Sequence, residues 1–109
     1  MLECVLGSQS AEKVLVFLCC RDEGYASGIA KFFDTGVTPI KKQLEKLEVG
    51  GVLVSRSVGK TLVFRFNPRN PFIDEIKALM TKVVTYYPQG LQDRLLKNRR
   101  RPRRRGKPL

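Results

Sequence analysis

The stretch from Thr38 to Asn67 constrains the fold of this chain more than any other. Thr38 is a natural N-cap, and Pro39 suits a first helical position, where its missing N–H has no partner to lose. Ile40, Leu44 and Leu47 follow at i, i+4 and i+7, which makes one apolar stripe. Gly50-Gly51 then stops the helix. Two runs rich in β-branched and aromatic residues come next, Val52 to Ser57 and Thr61 to Asn67. A type II′ turn at Gly59-Lys60 pairs Ser57 with Leu62, Ser55 with Phe64 and Leu53 with Phe66. That register puts Leu53, Leu62, Phe64 and Phe66 on the core face and Arg56, Val63 and Arg65 on the other. A three-residue loop would change it.

The flanking elements are read in the same way. Ser8 or Ser10 caps a first helix to about Arg21, with Ala11, Val14, Leu15 and Leu18 as its buried stripe. Asp22-Glu23-Gly24 ends it. A second helix covers roughly 26–33, with Ile29, Ala30 and Phe33 inward. Gly28 within it is helix-weak and points to a neighbouring helix passing close by. Asp34-Thr35-Gly36 is a turn, with Gly36 free to take positive φ. After the rigid connector from Asn67 to Pro71, Asn70 caps and Pro71 opens a fourth helix to about Tyr86. Its stripe is Phe72, Ile76, Leu79, Met80 and Val83. Pro88 and Gly90 break it, and Leu91, Leu95 and Leu96 suit one more short helical piece.

Helix, helix, glycine turn, helix, hairpin, helix is the order of a winged helix-turn-helix. The expected fold is therefore α+β and mostly helical, with a three-helix core, a β-hairpin wing and a C-terminal helix. Residues 1–87 form the domain and residues 88–109 a basic tail. A three-helix core can bury only part of the fourth helix's stripe, so a homodimer through that helix is expected.

Charge is unevenly placed. Residues 1–93 carry twelve Lys or Arg against ten Asp or Glu, a net +2, whereas residues 94–109 carry nine basic residues and no acid, a net +9. Such a polycation suits phosphate polyanions. The longest apolar run, Val14 to Cys20, is far short of the roughly 20 residues that span a bilayer. Met1 to Gly7 lacks a basic cluster, so no signal peptide is expected and the location is read as cytoplasmic and nucleoid-associated. Cys4, Cys19 and Cys20 are odd in number and lack CxxC spacing in a chain without histidine. They read as buried small hydrophobes in a reducing compartment, not as a metal site. With no histidine, no paired-carboxylate motif and no phosphate loop, neither catalysis nor a cofactor is expected. Ser55 and Ser57 have no base partner in the pattern.

With Ile40, Leu44 and Leu47 inward, the opposite arc of the third helix holds Thr38, Lys42, Glu45 and Lys46, flanked by Pro39 and Lys41. Lysine can bond guanine O6 or N7 or meet a phosphate, and Thr38 lies where N-terminal amides approach a phosphate. Gln43, nearer the stripe, can reach an adenine edge. Arg56 and Lys60 bracket the hairpin turn as a thin basic ridge. Arg99, Arg100, Arg101, Arg103, Arg104 and Arg105 supply charge for phosphates without choosing bases. The same lysines would also suit a solvated helix face supported by Glu45 and Glu48, and the hairpin an ordinary surface ribbon.

Residues 8 to about 84 resemble the winged helix-turn-helix regulators of the ArsR/MarR-like group. The similarity rests on Gly7-Ser8, on Ala11-Glu12-Lys13-Val14-Leu15, and on Tyr25 with Ile29-Ala30. It also rests on Gln43-Leu44-Glu45-Lys46-Leu47-Glu48-Val49-Gly50-Gly51 and on the segment from Asn67-Pro68 to Leu79. The resemblance implies sequence-specific binding of double-stranded DNA by a dimeric transcriptional regulator. A similar domain precedes some nucleotidyltransferases, but no Gly-Ser pair with paired aspartates follows Val84, so that activity is not implied. Metal-sensing members carry cysteines in or near the recognition helix, and residues 38–49 have none. No membrane or small-molecule effector is implied either. Two other functions fit the same residues: a sequence-tolerant nucleic-acid binder driven by the tail, and a winged-helix protein-interaction module.

Overall fold

The computed structural model describes the backbone of residues 1–100 and the side chains of residues 1–96. A single turn, α1 (Glu3–Leu6), ends at Gly7, whose φ of 94° needs a glycine. Ser8 then caps α2 (Gln9–Arg21), its hydroxyl accepting from the Ala11 amide at 3.0 Å. Arg21 is followed by the short strand β1 (Glu23–Gly24), then α3 (Ala26–Phe33) and α4 (Val37–Val49). Strands β2 (Leu53–Val58) and β3 (Thr61–Phe66) form the hairpin, and α5 (Ile73–Val84) and α6 (Gln89–Arg100) complete the described chain. The architecture is α+β: six helices among the described residues and one antiparallel sheet in the order β1-β3-β2. None of these helices is long and apolar enough to cross a membrane.

α2 is the centre of the molecule. It buries Val14, Leu15, Val16, Phe17, Leu18 and Cys20, which is most of its circumference. A helix apolar nearly all round must be covered on several sides. α4, α5 and α6 all pack on it. Ile40 and Leu44 of α4, Leu53, Phe64 and Phe66 of the sheet, and Ile73, Met80, Val83 and Val84 of α5 close the same core.

One buried charge ties the first residues of the chain to the segment after α5. The Glu12 carboxylate accepts from the Leu2 amide at 2.6 Å and from the Tyr87 hydroxyl, and the N-terminal ammonium lies 3.0 Å away. Burial works against the charge, but these hydrogen bonds outweigh it and hold the carboxyl below its usual range. Desolvation, reinforced by the Glu12 bond, pushes the Tyr87 hydroxyl well above its ordinary value. No buried side-chain nitrogen or oxygen among the described residues lacks a partner.

The hairpin register is the expected one: Leu53 opposes Phe66, Ser55 opposes Phe64 and Ser57 opposes Leu62. Gly59 has φ +62°, the positive value a type II′ turn needs at its first central residue. Several local expectations are corrected. Helix α4 starts one residue early, with Gly36 as N-cap and no side-chain cap. Thr38 therefore does not cap it, and Pro39 sits third in the helix, still within the turn whose amides lack helical partners. Gly36 is extended (φ −69°, ψ 152°). The left-handed residue of the turn is Asp34 (φ 55°), and the Thr35 amide reaches back to Ala30 O at 2.9 Å, a Schellman closure.

The close neighbour of the glycine at position 28 is the Tyr25 ring, three residues earlier, and not a second helix. A Cβ there would lie 2.8 Å from the Tyr25 ring. Glu23-Gly24, expected only to end a helix, also pairs with Arg65 and Phe64 of β3. Leu62, expected on the core face, is 46% exposed near the hairpin end. Asn70 accepts from the Phe72 amide at 2.8 Å instead of capping a helix opened by Pro71, and α5 begins at Ile73. The buried face of α5 accordingly uses Ile73 and Val84, whereas Phe72 and Leu79 lie 65% and 42% exposed. Of the cysteines, Cys20 is buried, Cys19 half-buried and Cys4 exposed, so only Cys20 fits the expected burial.

The segment expected to be a tail from residue 88 begins as α6, seated on the body. Leu95 is fully buried. Arg21 donates to the carbonyl oxygens of Leu95 and Arg94 at 2.9 and 3.0 Å. Arg94 donates to Phe32 O at 2.9 Å and lies over the Phe32 ring.

Candidate nucleic-acid interface

The α3–turn–α4 unit is rigid for local reasons. The Asp34 closure stops α3, and three residues later α4 has begun. Ile29 and Ala30 of α3 and Ile40 and Leu44 of α4 are all buried, so each helix presents its opposite side to solvent. At the far end, Val52 N bonds Leu47 O at 2.9 Å around Gly51 (φ 83°), turning the chain straight into β2. A hydrogen bond from the Ser55 hydroxyl to Glu48 at 2.5 Å fastens α4 to the hairpin.

This frame exposes Thr38, Pro39, Lys41, Lys42 and Lys46, while Gln43 is half-buried at the edge of the stripe. The exposed residues span two sides of the helix. Lys41 and Glu45 turn toward the hairpin and line a shallow depression of about 310 Å³ with Tyr25, Ser27, Lys60 and Leu62. Thr38 and Lys42 lie farther round, opposite the core, with Lys46 beyond them. The geometry thus joins Lys41 of the helix and Lys60 of the hairpin end on one concave surface. Tyr25 and Ser27 belong to it too, although sequence reasoning does not place them in a site. Tyr25 is legible only as part of a motif, because its position at the start of α3 gives no sign of what lies across from it.

Arg56 does not join this surface. It lies on the outer sheet face and pairs with Glu23 of β1 at 2.9 Å. Alternation along β2 places it on that face. What the sequence does not reveal is the carboxylate, because Glu23 reaches it only through a two-residue strand. The outer face also holds Arg65 and, in the connector, Arg69, around a second depression of about 430 Å³. Sequence reasoning does not mark either as a site residue, although the same alternation puts Arg65 there.

Of the expected tail residues, the side chains of Arg99 and Arg100, and Arg101, Arg103, Arg104 and Arg105 altogether, lie outside the described residues. Comparison with family models, with curated proteins and with solved structures finds no match to this chain.

Proposed function

We propose that this protein is a winged helix-turn-helix regulator that binds double-stranded DNA sequence-specifically, with α4 in the major groove. The observation that carries this reading is the shared concave surface of α4 and the hairpin, with Lys41 and Lys60 on its two sides. With α4 in the major groove, its outermost side carries Lys42 and Lys46 to base edges and phosphates, while Lys41, Lys60 and the hairpin, acting as the wing, meet the flanking backbone. The uncapped start of α4, with no acid in its first turn, suits a phosphate beside Thr38. The basic segment after Arg94 adds sequence-independent attraction. Homodimerisation through α5 accompanies this reading, because Leu79 on the helix and Phe72 and Tyr86 at its two ends leave apolar side chains exposed along it.

An electrophoretic shift with the DNA upstream of the protein's own gene, at physiological salt against scrambled competitor, tests the proposal. Retention of the upstream fragment alone is expected. Equal shifts of both fragments would favour the tail-driven, sequence-tolerant binder. No shift at all would favour a protein-interaction module.

A further inference from the structure

The hairpin carries cations on both faces, and only one of them can serve a duplex that holds α4. Lys60 belongs to the depression shared with α4, whereas Arg56, Arg65 and Arg69 surround the depression on the outer face. The two are separated by the thickness of the sheet. Arg56 pairs across the ladder with Val63, and Arg65 with Val54. Arg56 and Arg65 are therefore diagonal neighbours on one face, about 7–8 Å apart across the ladder with their Cβ atoms somewhat closer. Arg69 follows in the connector, where the Asn67 side chain fixes the backbone by accepting from the Arg69 amide at 3.0 Å.

The side chains of Arg65 and Arg69 are exposed and form no ion pair among the described residues; Glu23 stands opposite Arg65 in the ladder, but its carboxylate pairs with Arg56. The floor between the three arginines is Val54, Val63 and Pro68, without an aromatic ring. Such a floor gives bases nothing to stack on, so the face suits a backbone and not splayed nucleotides. A peptide is served less well. The face of a paired sheet offers no free ladder for its main chain, and strand addition needs an edge. Guanidinium forks match phosphate oxygens directly.

We infer that the outer face of the hairpin, through Arg56, Arg65 and Arg69, binds the phosphate backbone of a second DNA duplex, so that the protein bridges two segments. This rests on the DNA-binding reading of α4, and the experiment separates the two. Immobilise one 20-base-pair duplex, add the full-length protein, and measure capture of a second, fluorescent 20-base-pair duplex. In parallel, measure binding of the first duplex by anisotropy. Capture by the wild type is expected. The double variant Arg65→Ala/Arg69→Ala should cut capture about tenfold, as removal of two phosphate-binding guanidinium groups implies, and leave binding of the first duplex nearly unchanged. Lys42→Ala/Lys46→Ala should weaken the first binding event.

Unchanged capture by the arginine variant overturns the inference and leaves the α4 reading standing. Capture abolished only in the lysine variant also overturns it, because bridging would then come from two α4 surfaces of a dimer. Equal weakening of first-duplex binding in both variants means that one duplex uses both faces, which overturns it too. Arginine-dependent binding of poly-glutamate without binding of a second duplex overturns it in favour of an acidic protein partner. A wild type that binds no duplex overturns both readings.

Discussion

The two ends of α2 and the α4–hairpin surface treat charge in opposite ways. Around α2, charged and polar groups are satisfied internally. Glu12 is closed off by Tyr87 and the Leu2 amide, and Arg21 directs its donors to carbonyls of α6. On α4 and the hairpin, Lys41, Lys42, Lys46 and Lys60 stand exposed to solvent. Internal pairing fixes one arrangement of the core, whereas exposed lysines add little to stability and remain available to an external anion. The first region holds the shape and the second presents it.

The strongest way to break this division is to damage the holding region. Leu95→Ala removes a fully buried side chain from the seam between α6 and α2. It should destabilise the protein by about 2–5 kcal/mol, read as a lower urea midpoint at unchanged slope. A loss within a few tenths would mean that α6 is not part of the cooperative core.

A smaller effect is expected at the Glu12–Tyr87 hydrogen bond. Tyr87→Phe leaves a buried carboxylate short of a donor and should cost about 1–3 kcal/mol near neutral pH. The pH dependence has a definite sign. The folded-state pKa of Glu12 is depressed, so its contribution is present above the ordinary value of 4.5 and is lost as pH falls through the lower folded value. That of Tyr87 is raised, so its contribution holds below the ordinary value of 10.0 and fades as pH climbs beyond it. In Tyr87→Phe both the acid and the alkaline decline in melting temperature should be shallower than in the wild type. Parallel curves would show that the pair carries no linkage.

How much of this is visible in the sequence depends on how far each partner lies along the chain. The α4 stripe and the hairpin register are legible because they rest on spacings of two to seven residues and on glycines at 50, 51 and 59. The turn chemistry is legible only in outline. Asp34, not Gly36, takes positive φ, because the Schellman closure fixes which residue must be left-handed and aspartate tolerates it. The α5 face departs from expectation at its start because Asn70 bonds one amide without beginning the helix, which moves Phe72 out of the core. Pairings across long separations leave no local trace. Glu12 meets Tyr87 75 positions away, and Arg56 meets Glu23 33 positions away. For the candidate site, exposure of the α4 lysines follows from helix geometry alone. The union of Lys41 with Lys60, and the separation of Arg56 from both, needs the fold.

On the presenting region the expected effects concern discrimination and not stability. Lys42→Ala removes an exposed side chain, so the melting temperature should barely move. The gap between affinity for the upstream DNA and for random DNA should narrow by about 1–3 kcal/mol if the lysine bonds a base edge. Deleting residues 97–109 removes eight basic groups. It should weaken binding to both DNAs alike and flatten the salt dependence by about 0.9 in log–log slope for each phosphate no longer neutralised. If the deletion abolished the preference while Lys42→Ala left it intact, the roles of helix and tail would be reversed.

The smallest effect, and the sharpest comparison, lies in the ion pair on the outer sheet face. Arg56 and Glu23 are each about half exposed. Water and salt screen such a pair, and holding two long side chains costs rotamer entropy. A double-mutant cycle of Arg56→Ala and Glu23→Ala should therefore give a coupling of about 0.2–1 kcal/mol that shrinks as salt is raised. The single variants should behave differently toward an anion. Glu23→Ala releases Arg56 by removing the carboxylate paired with it, so capture of a second duplex should rise. Arg56→Ala removes one cation of three and should lower it. A coupling well above about 1 kcal/mol that resists salt would place this pair with the internal bonds of α2, as a structural clamp on β1. The outer face would then belong to the region that holds the shape, and the inferred second duplex would be left with Arg65 and Arg69 alone.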